Sequence, residues 1–187
     1  MGALLVLLGA LVSCTAPRST YMNVVVRPRV EQAWKGRSIL VFPFAEEAPE
    51  SKGKGGLLAR MAQQDLMERG CFPMVSLVSA GFWDRVGQGE EDQILAALEE
   101  GRRRGYDLVL LGRIRRFFPG GLIRTRVHLD VRIVDTQKEI TLFWGKNGWE
   151  DEGPDPGLAM DPRLSRPAVS PERLAGKVLG DLLDQLR

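Results

Sequence analysis

A near-continuous apolar run, Ile39-Leu40-Val41-Phe42, constrains the fold of this chain more than any other feature. The run belongs to the segment 38–44, which is rich in β-branched and aromatic residues and has the length of a strand. It therefore predicts a strand that is buried on both faces. The segment 108–114 has the same character and predicts a second buried strand.

Three stretches carry apolar residues at helical spacing. The first begins near Gly56 and reaches Gly70, a residue type that commonly ends helices. The second, 90–104, has acidic residues in its first turn and arginines in its last turn, both favourable to the helix dipole. The third, 171–186, follows a Ser-Pro cap and carries a broad apolar stripe.

Strand signals fill much of the remaining chain. A strand is predicted over 72–78, and a turn is predicted at 117–121. Alternation then predicts a long strand with Val127, Leu129, Val131 and Ile133 on one face and Arg126, His128, Asp130 and Arg132 on the other. The segment 135–139 predicts a hairpin connection, and 140–144 the partner strand.

The order β-α-β-α-β-β-β-α predicts an α/β (α+β) fold with a mixed sheet of about five strands and helices mainly on one face. Right-handed crossovers are expected to place the first two helices on the same face. The length of 187 residues suits one domain once the N-terminal segments are set aside.

The stretch Leu11-Val12-Ser13-Cys14 closes a short apolar run that begins at Ala3. The run is too short to span a bilayer, since a spanning helix needs about 20 apolar residues, and it has the length of the apolar part of an export signal. An apolar run that closes on small residues and a cysteine resembles the lipobox of bacterial lipoprotein signal peptides. The resemblance implies cleavage before Cys14 and palmitate-type acylation of this residue.

The predicted divisions are a signal peptide over 1–13, a tether over 14–37 with a candidate strand at 22–26, and a single domain over 38–187 that contains an irregular segment over 150–170. No Lys or Arg precedes the apolar run, so either the amino group of Met1 supplies the positive charge or translation starts upstream. The residue after the cysteine is Thr15 rather than Asp, which resembles the outer-membrane class of lipoproteins. The expected location is the outer membrane, with the domain facing the periplasm.

Charge and cysteine content exclude some classes. The formal net charge of +2 is too small to indicate a nucleic-acid partner. The chain has two cysteines, so acylation of Cys14 leaves Cys71 alone and no disulfide can form within the chain. Cys71 is predicted to be a buried structural thiol.

Four segments together resemble one family of bacterial lipoproteins: 39–44, Gly55-Gly56-Leu57-Leu58-Ala59, 105–114 and 131–136. That family includes CsgG, the amino-terminal domain of TolB, and LpoB. The resemblance covers about Ser38 to Gly145. It implies a CsgG/TolB-like domain and a non-enzymatic role in machines of the cell envelope.

No catalytic residue, cofactor or metal ligand is predicted. Gly53-Lys54-Gly55-Gly56 has the position of a phosphate-binding loop, but it lacks the spacing and the Lys-Ser/Thr ending of a P-loop. His128 is the one histidine of the chain and lies mid-strand among charged residues. A hydrolase triad or a metal site is therefore hard to assemble.

A group of arginines lies on or beside two strands that are expected to be neighbours: Arg113, Arg115, Arg116, Arg124, Arg126 and Arg132. Two interpretations remain open, a solvated face that keeps the sheet soluble and an electropositive surface for lipid head groups, glycan or an acidic protein. Trp144 and Trp149 would extend such a surface, because Trp and Arg commonly anchor interfaces.

These features predict a membrane-anchored envelope lipoprotein that acts as a non-catalytic accessory or assembly factor. Its expected contacts are an envelope protein or copies of itself. Two other classes stay open, a carrier of a small molecule or lipid and an envelope hydrolase. A deep pocket with converging polar groups would favour either of these.

Overall fold

A computed structural model describes residues 18–26, 34–87, 89–120, 124–151 and 169–186. The predicted signal peptide, Cys14 and most of the predicted irregular segment lie outside these residues. The strands are β1 (Arg18–Val26), β2 (Ile39–Val41), β3 (Ala45–Glu46), β4 (Val75–Leu77), β5 (Leu108–Gly120), β6 (Arg124–Asp135) and β7 (Thr141–Asp151). The helices are α1 (Gly55–Arg69), α2 (Glu90–Arg103) and α3 (Pro171–Leu183), with short 3₁₀ turns at Pro49–Ser51, Ala80–Arg85 and Asp184–Leu186.

The sheet is mixed, as the sequence predicts. Its strand order is β1-β7-β6-β5-β2-β4, and β3 also pairs with β5. The short strands β2, β3 and β4 form the parallel part. The long strands β5, β6, β7 and β1 pair antiparallel. The predicted order of elements is confirmed, β1 contains the candidate strand at 22–26, and β3 is an additional strand.

The larger core lies between one face of the sheet and the helices α1 and α3. Leu58, Ala62 and Leu66 of α1 are buried in it, together with the apolar stripe of α3. From β6 it receives Val127, Leu129, Val131 and Ile133, the face that alternation predicts. Ser170 caps α3 by accepting a hydrogen bond from the Arg173 amide, also as expected.

Helix α2 lies on the opposite face of the sheet, so the expectation that it shares a face with α1 is wrong. Ala97 and Leu98 pack with Leu40, Phe42 and Val109 in a second, smaller core. The reason is topological. The β2-α1-β4 crossover moves away from β5, whereas β4-α2-β5 returns across β2, and right-handed crossovers in opposite directions place their helices on opposite faces. With α1 and α3 together, the helices still lie mainly on one face.

Part of the predicted tether belongs to the domain. Residues 18–26 form β1, which pairs antiparallel with β7 from Arg18 opposite Glu150 to Val26 opposite Phe143. Pro17 and Pro28 flank this strand rather than interrupt it, consistent with the rarity of proline inside a sheet. Trp34 is buried against the larger core. The candidate strand at 22–26 is confirmed and begins earlier, at Arg18. The tether prediction is wrong in that β1 and Trp34 belong to the folded domain.

The long hairpin extends further than the sequence predicts. Residues 117–120 continue β5 instead of forming a turn, and Pro119 lies opposite Thr125. Phe117 is only 2% exposed and packs in the larger core, so its burial favours continuation of the strand. Strand β7 also continues past Trp144 to Asp151.

Candidate interaction surface

The predicted arginines lie on the sheet face that α1 and α3 leave uncovered. Arg113 is opposite Asp130, and Arg116 is opposite His128. On the other side of β6, Arg132 is opposite Trp144. We call this surface the arginine face and define it by Arg113, Arg115, Arg116, Phe118, Arg126, Arg132 and Trp144. Arg124 occupies the first position of β6, and its side chain is not among those described.

One half of this surface, which we call the proximal end, lies beside α2 and comprises Arg113, Arg115, Arg132 and Trp144. Two acidic residues from remote segments reach it, Glu47 after β3 and Glu90 at the start of α2. Both Arg113 and Arg115 hydrogen-bond Glu47, with 2.6 Å between Arg115 Nη1 and Glu47 Oε2. Arg132 Nη2 lies 2.9 Å from Glu90 Oε1.

Asp130 completes this ion-pair cluster from within the sheet. Its Oδ2 accepts a hydrogen bond from Arg115 Nε at 2.7 Å, and its side chain is 8% exposed. Its Oδ1 is buried without a hydrogen-bond partner in the described part of the chain. The carboxylate lines a cavity of about 40 Å³ with Arg113, Arg132, Glu90 and Trp144, which is room for about one water molecule.

The charge state of Glu47 keeps the proximal end near neutrality. Burial alone would raise the pKa of Glu47, but hydrogen bonds from Arg113 and Arg115 outweigh it and hold the pKa below its ordinary value of 4.5. Glu47 is therefore ionised at neutral pH. The arginines here are matched by carboxylates, so this half is a bonded structural cluster rather than an electropositive patch.

The other half, which we call the distal end, comprises Arg116, Phe118 and Arg126 near the tip of the β5–β6 hairpin. Arg126 pairs with Glu150 at 2.6 Å. Arg116 is exposed and makes no ion pair with another described residue. Phe118 lies opposite Arg126, and 48% of it is exposed.

His128 lies between the arginines of the distal end. Burial, followed by the positive charges of Arg116 and Arg126, lowers the pKa of His128 from its ordinary value of 6.5. The imidazole is therefore neutral at pH 7 and adds no charge to the surface.

The two tryptophans occupy opposite faces, which corrects their predicted grouping. Trp144 belongs to the arginine face, where Lys146 lies 4.5 Å and Arg132 5.4 Å from its ring centroid. Trp149 lies opposite Val127, on the face covered by α3. Its Nε1 donates to Asp181 Oδ2 at 2.8 Å, and Lys177 covers its ring. Trp149 therefore anchors α3.

Other candidate sites give little support for small-ligand chemistry. In the glycine-rich loop, the Glu46 carboxylate accepts hydrogen bonds from the amides of Gly53 and Gly55, at 2.8 and 2.7 Å. An incoming phosphate would meet that negative charge. Among the described residues no group of three or more His, Cys, Asp or Glu side chains is arranged to hold a metal ion. Within the same residues, no helix has the length and apolar character needed to cross a bilayer.

Sequence reasoning found the arginines and missed the residues that decide their role. No sequence pattern links Glu47 or Glu90 to the arginines of β5 and β6. Only the folded chain brings these acidic residues next to the arginines. The sequence predicts a turn at Phe118, whereas in the structure this residue occupies an exposed position of β5. Its proximity in sequence to Arg115 and Arg116 was the one available signal.

Comparison with solved structures identifies the fold. The PelC dodecamer from Paraburkholderia phytofirmans matches with a TM-score of 0.60 and 15% identity, over 89% of this chain and 96% of that chain. The chain therefore has the fold of PelC. No protein-family model matches, and no curated protein matches it in sequence.

Two weaker structural matches are to a protein described as a lipoprotein and to LpoB, which belongs to the family that the sequence resembles. Lipoprotein GNA1162 from Neisseria meningitidis matches with a TM-score of 0.46 and 25% identity, over 65% of this chain and 87% of that chain. The LpoB C-terminal domain from Salmonella enterica matches with a TM-score of 0.40 and 15% identity, over 61% of this chain and 83% of that chain. Both TM-scores are too low to extend the description of the fold.

Proposed function

We propose that this chain is a cell-envelope lipoprotein, held to the outer membrane by a lipid on Cys14, that acts without catalysis by assembling with copies of itself. The observation that carries the proposal is the shared fold with a protein solved as a dodecamer, over 89% of this chain. Closed rings of identical subunits are a common form of symmetric assembly.

The shape of the sheet supports contact between copies. β1 and β4 are the edge strands of the sheet. β1 is nine residues long, and edge strands of that length can pair with a strand of a neighbouring chain.

The small size of the cavity beside Asp130 supports a role by contact rather than by small-molecule turnover. The cavity beside Asp130 measures about 40 Å³, whereas pockets for small molecules usually measure about 300–1,000 Å³. A groove between α1 and α3 is larger, about 200 Å³, but it is open to solvent and has no converging set of catalytic groups among the described residues. The carrier and hydrolase alternatives gain no support from either.

Crosslinking in intact cells tests the proposal. Wild-type protein is treated with a membrane-permeable crosslinker, extracted in mild detergent and sized by native mass spectrometry. The expected result is a ladder of crosslinked multiples and one dominant closed oligomer. A monomer after extraction with no crosslink between copies would rule out self-assembly, even if the chain were crosslinked to another envelope protein.

The anchor is tested separately with Cys14→Ser. The expected result is loss of labelled palmitate and release from the membrane fraction, or retention of the uncut precursor. Unchanged palmitate incorporation in this variant would show that the lipid is attached elsewhere.

A further inference from the structure

We infer that the distal end of the sheet contacts the membrane surface, with Phe118 in the interfacial layer and the surrounding arginines on anionic phospholipid head groups. This inference rests on the proposed function, because it uses the lipid anchor on Cys14. It adds a second membrane contact, made by the folded domain, which fixes how the domain stands on the bilayer.

Strand register places the anchor and the distal end together. Arg18 of β1 lies opposite Glu150 of β7. Glu150 lies opposite Arg126 of β6, which in turn lies opposite Phe118 of β5. The start of β1 is thus at the same end of the sheet as Phe118, and three strand spacings, about 14 Å, separate them across the sheet.

The chain between the anchor and the sheet is short. Arg18 follows Cys14 by four residues, and four residues reach at most about 14 Å even when fully extended. A lipid on Cys14 therefore holds this end of the sheet close to the head groups, whatever path those residues take. The opposite end of the sheet, with the turn that contains Lys138, points away.

The composition of the distal end suits an anionic lipid surface. Four arginines occupy the strand positions at this end, against two acidic residues, a formal excess of two positive charges: Arg18, Arg116, Arg124 and Arg126 against Glu150 and Asp151. Arg116 makes no ion pair with another described residue. Arginines beside an aromatic residue suit a membrane interface, where the ring enters the boundary layer and the charged groups stay at the head groups.

Phe118 lies near the tip of the hairpin, two residues before the end of β5. Apolar side chains of interfacial segments enter the boundary between head groups and acyl chains. At 48% exposure, Phe118 has a large part of its ring available for that layer. A lipid anchor combined with a basic patch is a stable way to hold a protein on a membrane.

Photocrosslinking in cells tests the inference with the full chain. The photoreactive residue p-benzoylphenylalanine replaces Phe118, and in a matched control it replaces Leu95, an exposed residue of α2 (55% exposed). Phospholipids are labelled with ³²P. The lipid of a bacterial lipoprotein anchor contains no phosphate, so ³²P that appears on the purified protein only after irradiation, and that a phospholipase releases, reports a crosslinked phospholipid.

The expected result is a strong ³²P adduct at position 118 and background at position 95. The adduct should fall at least about tenfold in Arg116→Glu, because each arginine near an anionic surface changes affinity about fivefold and this substitution changes the charge by two. Lys138→Glu, at the opposite end of the sheet, should leave the adduct unchanged.

Two results would overturn the inference. In the first, position 118 crosslinks to proteins but not to phospholipid. In the second, neither position 118 nor position 95 gives any adduct. Palmitate labelling of the same samples separates the causes. If palmitate is incorporated and position 118 gives no phospholipid adduct, the membrane contact is wrong while the anchor stands. If palmitate is not incorporated, the anchor itself is wrong.

Discussion

The proximal and distal ends of the arginine face carry the same residue type on the same strands, and they differ in what the fold packs beside them. At the proximal end, Glu47 and Glu90 arrive from a loop and a helix and bond the guanidinium groups. At the distal end, α3 covers only the opposite face of the sheet, Arg116 is exposed and Phe118 is 48% exposed. Whether an arginine of this face forms structural ion pairs or remains available to bind a partner thus depends on its neighbours in space. The spacing of the arginines in the sequence does not decide it.

The largest expected difference in stability between the two ends concerns one glycine near each of them, Gly112 at the proximal end and Gly148 at the distal end. A Cβ at Gly112 would overlap the ring of Phe44, which is 1% exposed and cannot move aside. We expect Gly112→Ala to cost about 3 kcal/mol of unfolding free energy, at the upper end for overpacking. A Cβ at Gly148 would lie 2.7 Å from His128 Cδ2, at the more open distal end. Gly148→Ala should cost about 1 kcal/mol. Urea denaturation of both variants checks the contrast, and equal losses would contradict it.

The next largest effect concerns the carboxylate at the centre of the proximal cluster. Asp130→Ala leaves Arg115 with Glu47 as its main partner and should cost about 2 kcal/mol. Arg126→Ala breaks the more exposed pair with Glu150 and should cost about 0.5 kcal/mol. Thermal unfolding of the two variants measures the difference. If Arg126→Ala were the more damaging substitution, the assignment of the structural role to the proximal end would be wrong.

A smaller expected effect is the pH dependence of the stability that Glu47 gives to the proximal end. The pKa of Glu47 is lowered, so its contribution to stability is complete above its ordinary value of 4.5 and disappears as the pH falls through the folded-state value. Glu47→Gln should cost about 1 kcal/mol at pH 7, and the gap to wild type should close in acid below 4.5. Unfolding curves at a series of pH values check this. A gap that stayed constant into strong acid would mean that Glu47 acts by packing rather than by charge.

The smallest effect is a titration at the distal end. The pKa of His128 is lowered below 6.5, so the folded state favours the neutral ring. The contribution of this preference to the stability of the fold is complete above pH 6.5. It is lost as the pH falls from 6.5 towards the folded-state pKa. His128 is the one histidine of the chain, so an imidazole signal in NMR of tag-free protein belongs to it. Arg116→Gln should raise its pKa. A wild-type pKa at or above 6.5 would show that the distal end lacks the predicted positive potential.

Local patterns predicted most elements of the fold. The runs at Ile39 and Leu108 are buried strands, and Gly70 ends α1 in a left-handed conformation with φ 63°. The alternation from Val127 to Ile133 also holds, because every second residue faces the larger core. These predictions succeed because the buried face of a helix or strand requires apolar residues at the spacing of that element, and this spacing is visible in the sequence.

The features that failed depend on contacts remote in sequence. The second half of β7 was missed because it contains Gly145 and Gly148, which weaken a strand pattern. Both glycines are explained by neighbours: a Cβ at Gly145 would lie 2.8 Å from Leu182, and one at Gly148 would meet His128. The face of α2 follows from strand order, which no local pattern gives. The ion pairs of Glu47 and Glu90 follow in turn from that packing.

The lipid anchor is the central claim, since both the location and the membrane-facing end depend on Cys14. Intact-mass spectrometry of the protein extracted from cell envelopes tests it most directly. The account predicts a mature chain that begins at Cys14 and carries a mass increment equal to a diacylglyceryl group on the thiol and an acyl group on the new amino terminus. A chain that begins elsewhere, or one that begins at Cys14 with a free thiol, would contradict it.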